Sequence, residues 1–148
     1  MKLGPETLVI RAEIGELAHV VEWTGRLATT WNLPSSTLFA IQLCFEEAVS
    51  NIIRHGFADG PREAGVNSDV HLSAERRDNA VAITIADFAP AFDPLGVVPR
   101  ARPATIQQAV IGGHGIQLMR RFAQHLTYER RDGMNRLTLS FDLPTSGT

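Results

Sequence analysis

Apolar residues recur at helical spacing through two long stretches of this chain and alternate with polar residues through several short ones. Leu8 to Ala12 read as a first strand, and Ile14, Leu17, Val21, Thr24, Leu27 and Trp31 then follow a helical period. A second helix spans 34–56: Pro34 and Ser35 start it, Leu38, Ile41, Phe45, Ala48 and Ile52 form its apolar stripe, and Gly56 ends it. Residues 57–69 are dense in Gly, Pro, Asn and Asp and read as a loop. Val70, Leu72 and Ala74, then Val81, Ile83 and Ile85, alternate with polar residues around a turn at Asp78 and Asn79, which predicts an antiparallel hairpin. Residues 88–112 carry Pro90, Pro94, Pro99 and Pro103 and are expected to be a lid over a site. A helix from about Gly115 to Leu126 shows Ile116, Met119, Phe122, Ala123 and Leu126 on one face. A last hairpin runs to Arg131, turns at Asp132 and Gly133, and returns with Leu137, Leu139 and Phe141 inward. This order predicts an α+β fold, with helices grouped on one face of a largely antiparallel sheet.

At 148 residues, 44% hydrophobic and 20% charged, the chain suits a single domain spanning 1–148 with its own core. A formal net charge of -2 and no run of Lys or Arg argue against a nucleic-acid backbone or an anionic membrane as partner. No signal-like or membrane-spanning apolar run occurs, so a cytoplasmic location is expected. Cys44 is the single cysteine and sits in the second helix, where a small buried side chain is the default. Five His without companion Cys or paired spacing make a zinc site improbable.

Candidate chemistry begins in FEEAVSNIIRHG, where Glu47, Asn51 and His55 succeed one another at four-residue steps along one helical face. An Asn carbonyl suits Mg²⁺, and a Glu one turn away can accept a proton from an attacking hydroxyl. The same spacing also fits an ordinary polar helix surface. Strand parity puts Asp87 on the inward face with Val81, Ile83 and Ile85. A carboxylate there needs a donor, either an exocyclic amine such as that of adenine or the backbone of its own DFAP turn. In IGGHGIQLM, Gly112, Gly113 and Gly115 lead into a helix whose free N–H groups could receive a phosphate, or merely form a helix-entry turn. His114 could contact that phosphate or face solvent.

Taken in order, EEAVSNIIRHG, IADFAPAFDP and IGGHGIQLMRRFAQHLTYERRDGMNRLTL resemble the N, G1 and G2 boxes of the GHKL (Bergerat) ATP-binding fold, and most of all its anti-sigma factor serine/threonine-protein kinases. The resemblance covers nearly the whole chain and implies a two-layer α/β sandwich with a largely antiparallel mixed sheet. It implies ATP and Mg²⁺ as cofactors, Glu47 as general base, Asn51 as metal ligand and Asp87 as adenine reader. It puts the remaining nucleotide contacts on His55, Ala89, Ala91, Gly113, His114, Gly115 and Ile116. It further implies a STAS-type anti-anti-sigma protein as the phosphorylated partner, a sigma factor as the other, and a homodimer. Where the family has Asp-x-Gly-x-Gly, this chain has Asp87, Phe88, Ala89, Pro90 and Ala91. Two methyls pressing on the site would overpack it by roughly 1 to 3 kcal/mol, weakening ATP about ten- to a hundredfold. The alternative is therefore a regulator that has lost nucleotide turnover and acts on a sigma factor or STAS partner by sequestration. A histidine-kinase reading fails for want of a helical hairpin with a phosphoacceptor His.

Overall fold

The second helix forms around its own apolar stripe. In the computed structural model, which describes residues 2–56, 67–91, 93 and 115–144, helix α2 (Ser35–Gly56) buries Ala40, Ile41, Cys44, Phe45, Ala48 and Val49 along one side. Its start is where Pro34 predicts, since the Leu38 N–H donates to the Pro34 carbonyl at 3.1 Å. Cys44 is fully buried, as expected for a structural thiol, and burial, followed by the nearby Glu47 carboxylate, pushes it up to about 12.

That stripe rests on a five-stranded sheet of order β1-β2-β3-β5-β4, formed by β1 (Leu3–Arg11), β2 (Asp69–Arg77), β3 (Ala80–Asp87), β4 (His125–Arg131) and β5 (Met134–Asp142). All four pairings are antiparallel, so the sheet is antiparallel throughout the described residues, with no parallel pair of the mixed kind. Inward positions alternate as the period-2 pattern requires: Val70, Leu72 and Ala74 face the helices beside Val81, Ile83 and Ile85, and beyond them Leu137, Leu139 and Phe141. The β4–β5 turn is held by Asp132 and Gly133 at φ 54° and 76°, the pair of left-handed residues that a two-residue hairpin demands.

Helix α1 (Leu17–Thr30) forms as predicted, and Leu17, Thr24, Leu27 and Trp31 of its expected stripe pack in or against the core, while Ile14 and Val21 do not. Val20, Trp23, Thr24 and Ala28 are buried, whereas Val21 is 55% exposed and Ile14 lies in a one-turn 3-10 helix, 59% exposed. The expected stripe and the buried one coincide at Thr24 and Trp31, and the helix turns Trp23 inward in preference to Val21 because Trp removes far more apolar surface from water than Val. Trp23 meets Phe45 at 5.7 Å between ring centroids. Thr24 resolves its buried hydroxyl by donating to the Val20 carbonyl at 2.7 Å and accepting from Gln42 Nε2 at 3.0 Å, which ties α1 to α2.

Helix α3 (Gly115–Phe122) stops four residues short of its predicted end. The Gln124 N–H donates to the Ser140 carbonyl at 2.8 Å instead of continuing the helix, and Leu126 joins β4 opposite Leu139. An inward leucine satisfies both periods, and strand pairing decides between them. Among the described residues no helix is long and apolar enough to cross a membrane.

Phe45→Ala is expected to lower the unfolding free energy by about 3 to 5 kcal/mol, because a fully buried ring in contact with Trp23 leaves a cavity. Val21→Ser should stay within about 0.5 kcal/mol. Urea titration checks both, and a large loss at Val21 would restore the rejected helix face.

Candidate functional site

Five elements and one turn meet around a small cavity. The C-terminal turn of α2 brings Asn51, Ile52, His55 and Gly56 to one side of this cavity; β3 and β5 supply Ile85, Asp87, Asn135 and Leu137; Met119 of α3, Tyr128 of β4 and the Ala89–Pro90 turn complete its wall. Its volume is about 50 Å³. The wall is mostly apolar, with Asn51, His55, Asp87, Tyr128 and Asn135 as its polar side chains, the make-up of a small-molecule site.

Asp87 is the inward carboxylate that parity predicts, 4% exposed at the end of β3. The turn's own backbone supplies one donor, as the second sequence alternative expects. Asp87 Oδ1 accepts the Ala89 N–H at 2.9 Å, capping the turn, and also accepts from Asn135 Nδ2 at 3.1 Å. Burial is the main influence on its acidity and holds the carboxyl above its ordinary range; the Asn135 and Ala89 donors and the Arg130 charge pull the other way.

On α2, Asn51 lines the cavity but its Oδ1 accepts from Arg54 Nη2 at 2.7 Å, so the carbonyl assigned to a metal is engaged by a guanidinium. Glu47 stands one turn earlier, half-buried and outside the cavity wall. Burial holds its carboxyl pKa above the usual carboxylate range, opposed by Arg54 and reinforced by Glu46. His55 borders the cavity while remaining largely exposed, and burial of its ring together with the Arg54 charge lowers its proton affinity.

The G1-like turn departs from expectation in a specific way. Ala91 is exposed, so its methyl does not press on the cavity. Ala89 is 5% exposed and its methyl rests against Gly56, where a Cβ would lie 2.6 Å away. The absence of a side chain at the end of α2 makes room for the methyl that replaces a glycine of the family pattern. The predicted double overpacking thus reduces to one contact with a matching partner.

Gly115 opens α3, with Ile116 its second residue; Gly113, His114 and nearly all of the 88–112 lid lie outside the described residues. Among described residues no three His, Cys, Asp or Glu gather in a metal-holding group. Sequence reasoning missed Asn135, Tyr128, Arg130, Arg54 and Met119. Asn135 was within reach, because the parity that places Leu137 and Leu139 inward places it inward too.

The family model described as a histidine kinase-like ATPase domain matches residues 10–141. The chain belongs to that family. The serine/threonine-protein kinase BtrW of Bordetella bronchiseptica is 32% identical over 140 residues, covering 95% of each chain. The solved RsbU and RsbW domains of Rv1364c from Mycobacterium tuberculosis share the fold, with a TM-score of 0.66 at 15% identity over 95% of this chain and 33% of that one.

The Gly56 and Ala89 contact is testable by a double-mutant cycle. Gly56→Ala should destabilise the fold by about 1 to 3 kcal/mol, and adding Ala89→Gly should restore most of the loss. Additive losses in chemical denaturation would mean the two residues are not coupled.

Proposed function

We propose that the chain is an anti-sigma factor serine/threonine kinase that binds ATP with Mg²⁺ and phosphorylates a serine of a STAS-type anti-anti-sigma partner, so controlling the availability of a sigma factor. It works as a homodimer in the cytoplasm. The observation that carries the reading is a buried carboxylate, Asp87, in the wall of an apolar cavity that Asn51 also lines. Kinship with a named serine/threonine-protein kinase supports it.

The donor set fits a purine. Asp87 Oδ2 has no hydrogen-bond donor among the described residues and can accept from an amine, while Ile52, Ile85, Met119 and Leu137 exclude water from the ring faces. Bound ATP with Mg²⁺ would supply the transferable phosphoryl group. Asn51 Oδ1 is the oxygen offered to the metal, which requires Arg54 Nη2 to release it. Gly113, His114 and Gly115 would receive the phosphates at the entry to α3. Glu47 would take the proton from the partner's seryl Oγ, and burial, by holding its pKa above the ordinary carboxylate range, makes it a better base than an ordinary surface glutamate.

The second reading, a regulator acting by sequestration without turnover, is favoured by the Arg54 hold on Asn51 and by the small cavity. At about 50 Å³ it falls well below the roughly 150 Å³ that accommodates benzene in an engineered core, so its wall must yield before a base enters.

With a cognate STAS protein and labelled ATP, phosphate should move to the partner's serine, and Glu47→Ala should cut transfer by roughly 10²- to 10⁴-fold while leaving ATP affinity within about twofold. Undiminished transfer by Glu47→Ala would remove the base assignment. Calorimetry finding no ATP binding with Mg²⁺ present would replace the kinase by the sequestering regulator.

A further inference from the structure

Asn135 is a buried carboxamide directly opposite Asp87 in the β3–β5 register. Its Nδ2 group donates toward Asp87 Oδ1 at 3.1 Å, the Pro90 carbonyl at 3.1 Å and the Ala89 carbonyl at 3.2 Å, sharing two protons among three acceptors. Its Oδ1 accepts the Tyr128 hydroxyl at 2.5 Å. The carboxylate and the two carbonyls decide which way the amide points, because the reversed amide would set its oxygen against all three, and the Tyr128 hydroxyl, able to donate, holds Oδ1 in that orientation. Arg130 Nη1 adds a second donor to the Ala89 carbonyl at 2.8 Å. The turn after β3 is thereby held from the sheet side by β4 and β5.

The arrangement has a chemical consequence for the cavity. Asp87 Oδ1 is filled by the Ala89 N–H and Asn135, whereas Oδ2 accepts nothing among the described residues. The carboxylate therefore shows the cavity a single acceptor in a fixed place. An acceptor there is matched by the exocyclic amine of a 6-aminopurine and opposed by the oxygen of a 6-oxopurine held in the same orientation. We infer that Asn135, oriented by Tyr128, is a positioning residue that keeps Asp87 an acceptor and so sets the preference of this site for 6-aminopurines over 6-oxopurines. The inference rests on the nucleotide site proposed above and adds to it the residue that fixes base choice.

The same contact governs protonation. A protonated Asp87 becomes a donor and would welcome a 6-oxo group. The charged and titratable groups facing it are Arg130 and Tyr128 from β4 and His55 from α2, while its β2 neighbour, Val70, is apolar. Burial already moves the carboxyl upward, and the Asn135 donor restrains that movement. Affinity for a 6-aminopurine is present above the carboxyl's folded pKa and lost as pH falls through it, so removing Asn135 should start the loss at higher pH.

The test uses calorimetric titration of the full chain with ATP and with ITP, which differ at the 6-position, across a pH series. The wild type should favour ATP by at least tenfold. Asn135→Leu, of similar size, should bring the ratio near one and shift the acid limb of ATP binding to higher pH; Tyr128→Phe should move both in the same direction by less. A variant that binds ATP with the wild-type ratio and pH profile would overturn the inference while leaving the nucleotide site intact. If Asn135→Leu does not fold, as judged by circular dichroism, Tyr128→Phe decides by the same criterion. Wild type that binds neither nucleotide would overturn both, whereas ATP-selective binding without phosphate transfer would leave the inference standing and remove the kinase.

Discussion

A carboxylate sealed into the end of an apolar strand is the constraint around which this domain is arranged. Ionised Asp87 would cost several kcal/mol in so buried a place without donors. The Ala89 N–H and the Asn135 amide, each worth roughly 1.5 to 3 kcal/mol as hydrogen bonds to a charged group, offset much of that cost. The compensation is deliberately incomplete in space: it falls on one oxygen and leaves the other without a donor among the described residues. Replacing Asp87 by an apolar residue of similar size would satisfy the core better, so its presence argues for a ligand that completes the set.

Helix α2 connects that carboxylate to the chemistry proposed for it. One side of the helix carries Phe45, Ala48 and Val49 into the core, and this fixes its rotation. Once the rotation is set, Glu47 and Asn51 have no freedom over where they stand; their placement follows from the apolar stripe. The electrostatics run along the same helix. Arg54 bonds to Asn51 and acts on both Glu47 and His55, so one guanidinium couples the proposed metal ligand to the proposed base. A cation arriving at Asn51 would displace Arg54 from it and alter the field at Glu47 in the same event.

Much of this was legible in the residues because period and parity are rigid rules. The α2 frame, the two hairpins and the inward Asp87 came from spacing alone, and the turn at Asp132 and Gly133 from its chemistry. Other features failed where two rules were equally satisfied. In α1, Val20 and Val21 lie at either edge of one buried stripe, and the contact of Trp23 with Phe45 in three dimensions turns Val20 inward and Val21 out. At Leu126 the helical and strand periods coincide, and the Ser140 carbonyl settles the matter by taking the Gln124 N–H. Asn135 escaped for a different reason: polar residues on inward positions were weighed only at Asp87, though the same count exposes its neighbour across the ladder.

The most instructive failure concerns Ala89 and Ala91. Read as sequence, two alanines in place of two glycines are two added methyls, and the argument from volume treats them alike. Backbone geometry separates them, sending one outward to solvent and the other onto Gly56, a residue that the linear reading used only as a helix terminator. Glycine at 56 therefore has two jobs, ending α2 and receiving a methyl from a turn more than thirty residues away in the chain. A substitution that looks like damage within a motif is compatible with a working site when the volume it adds is missing from the wall it faces. What matters for binding is the sum of the two positions, and that sum is close to the arrangement with a glycine at 89 and a small side chain at 56.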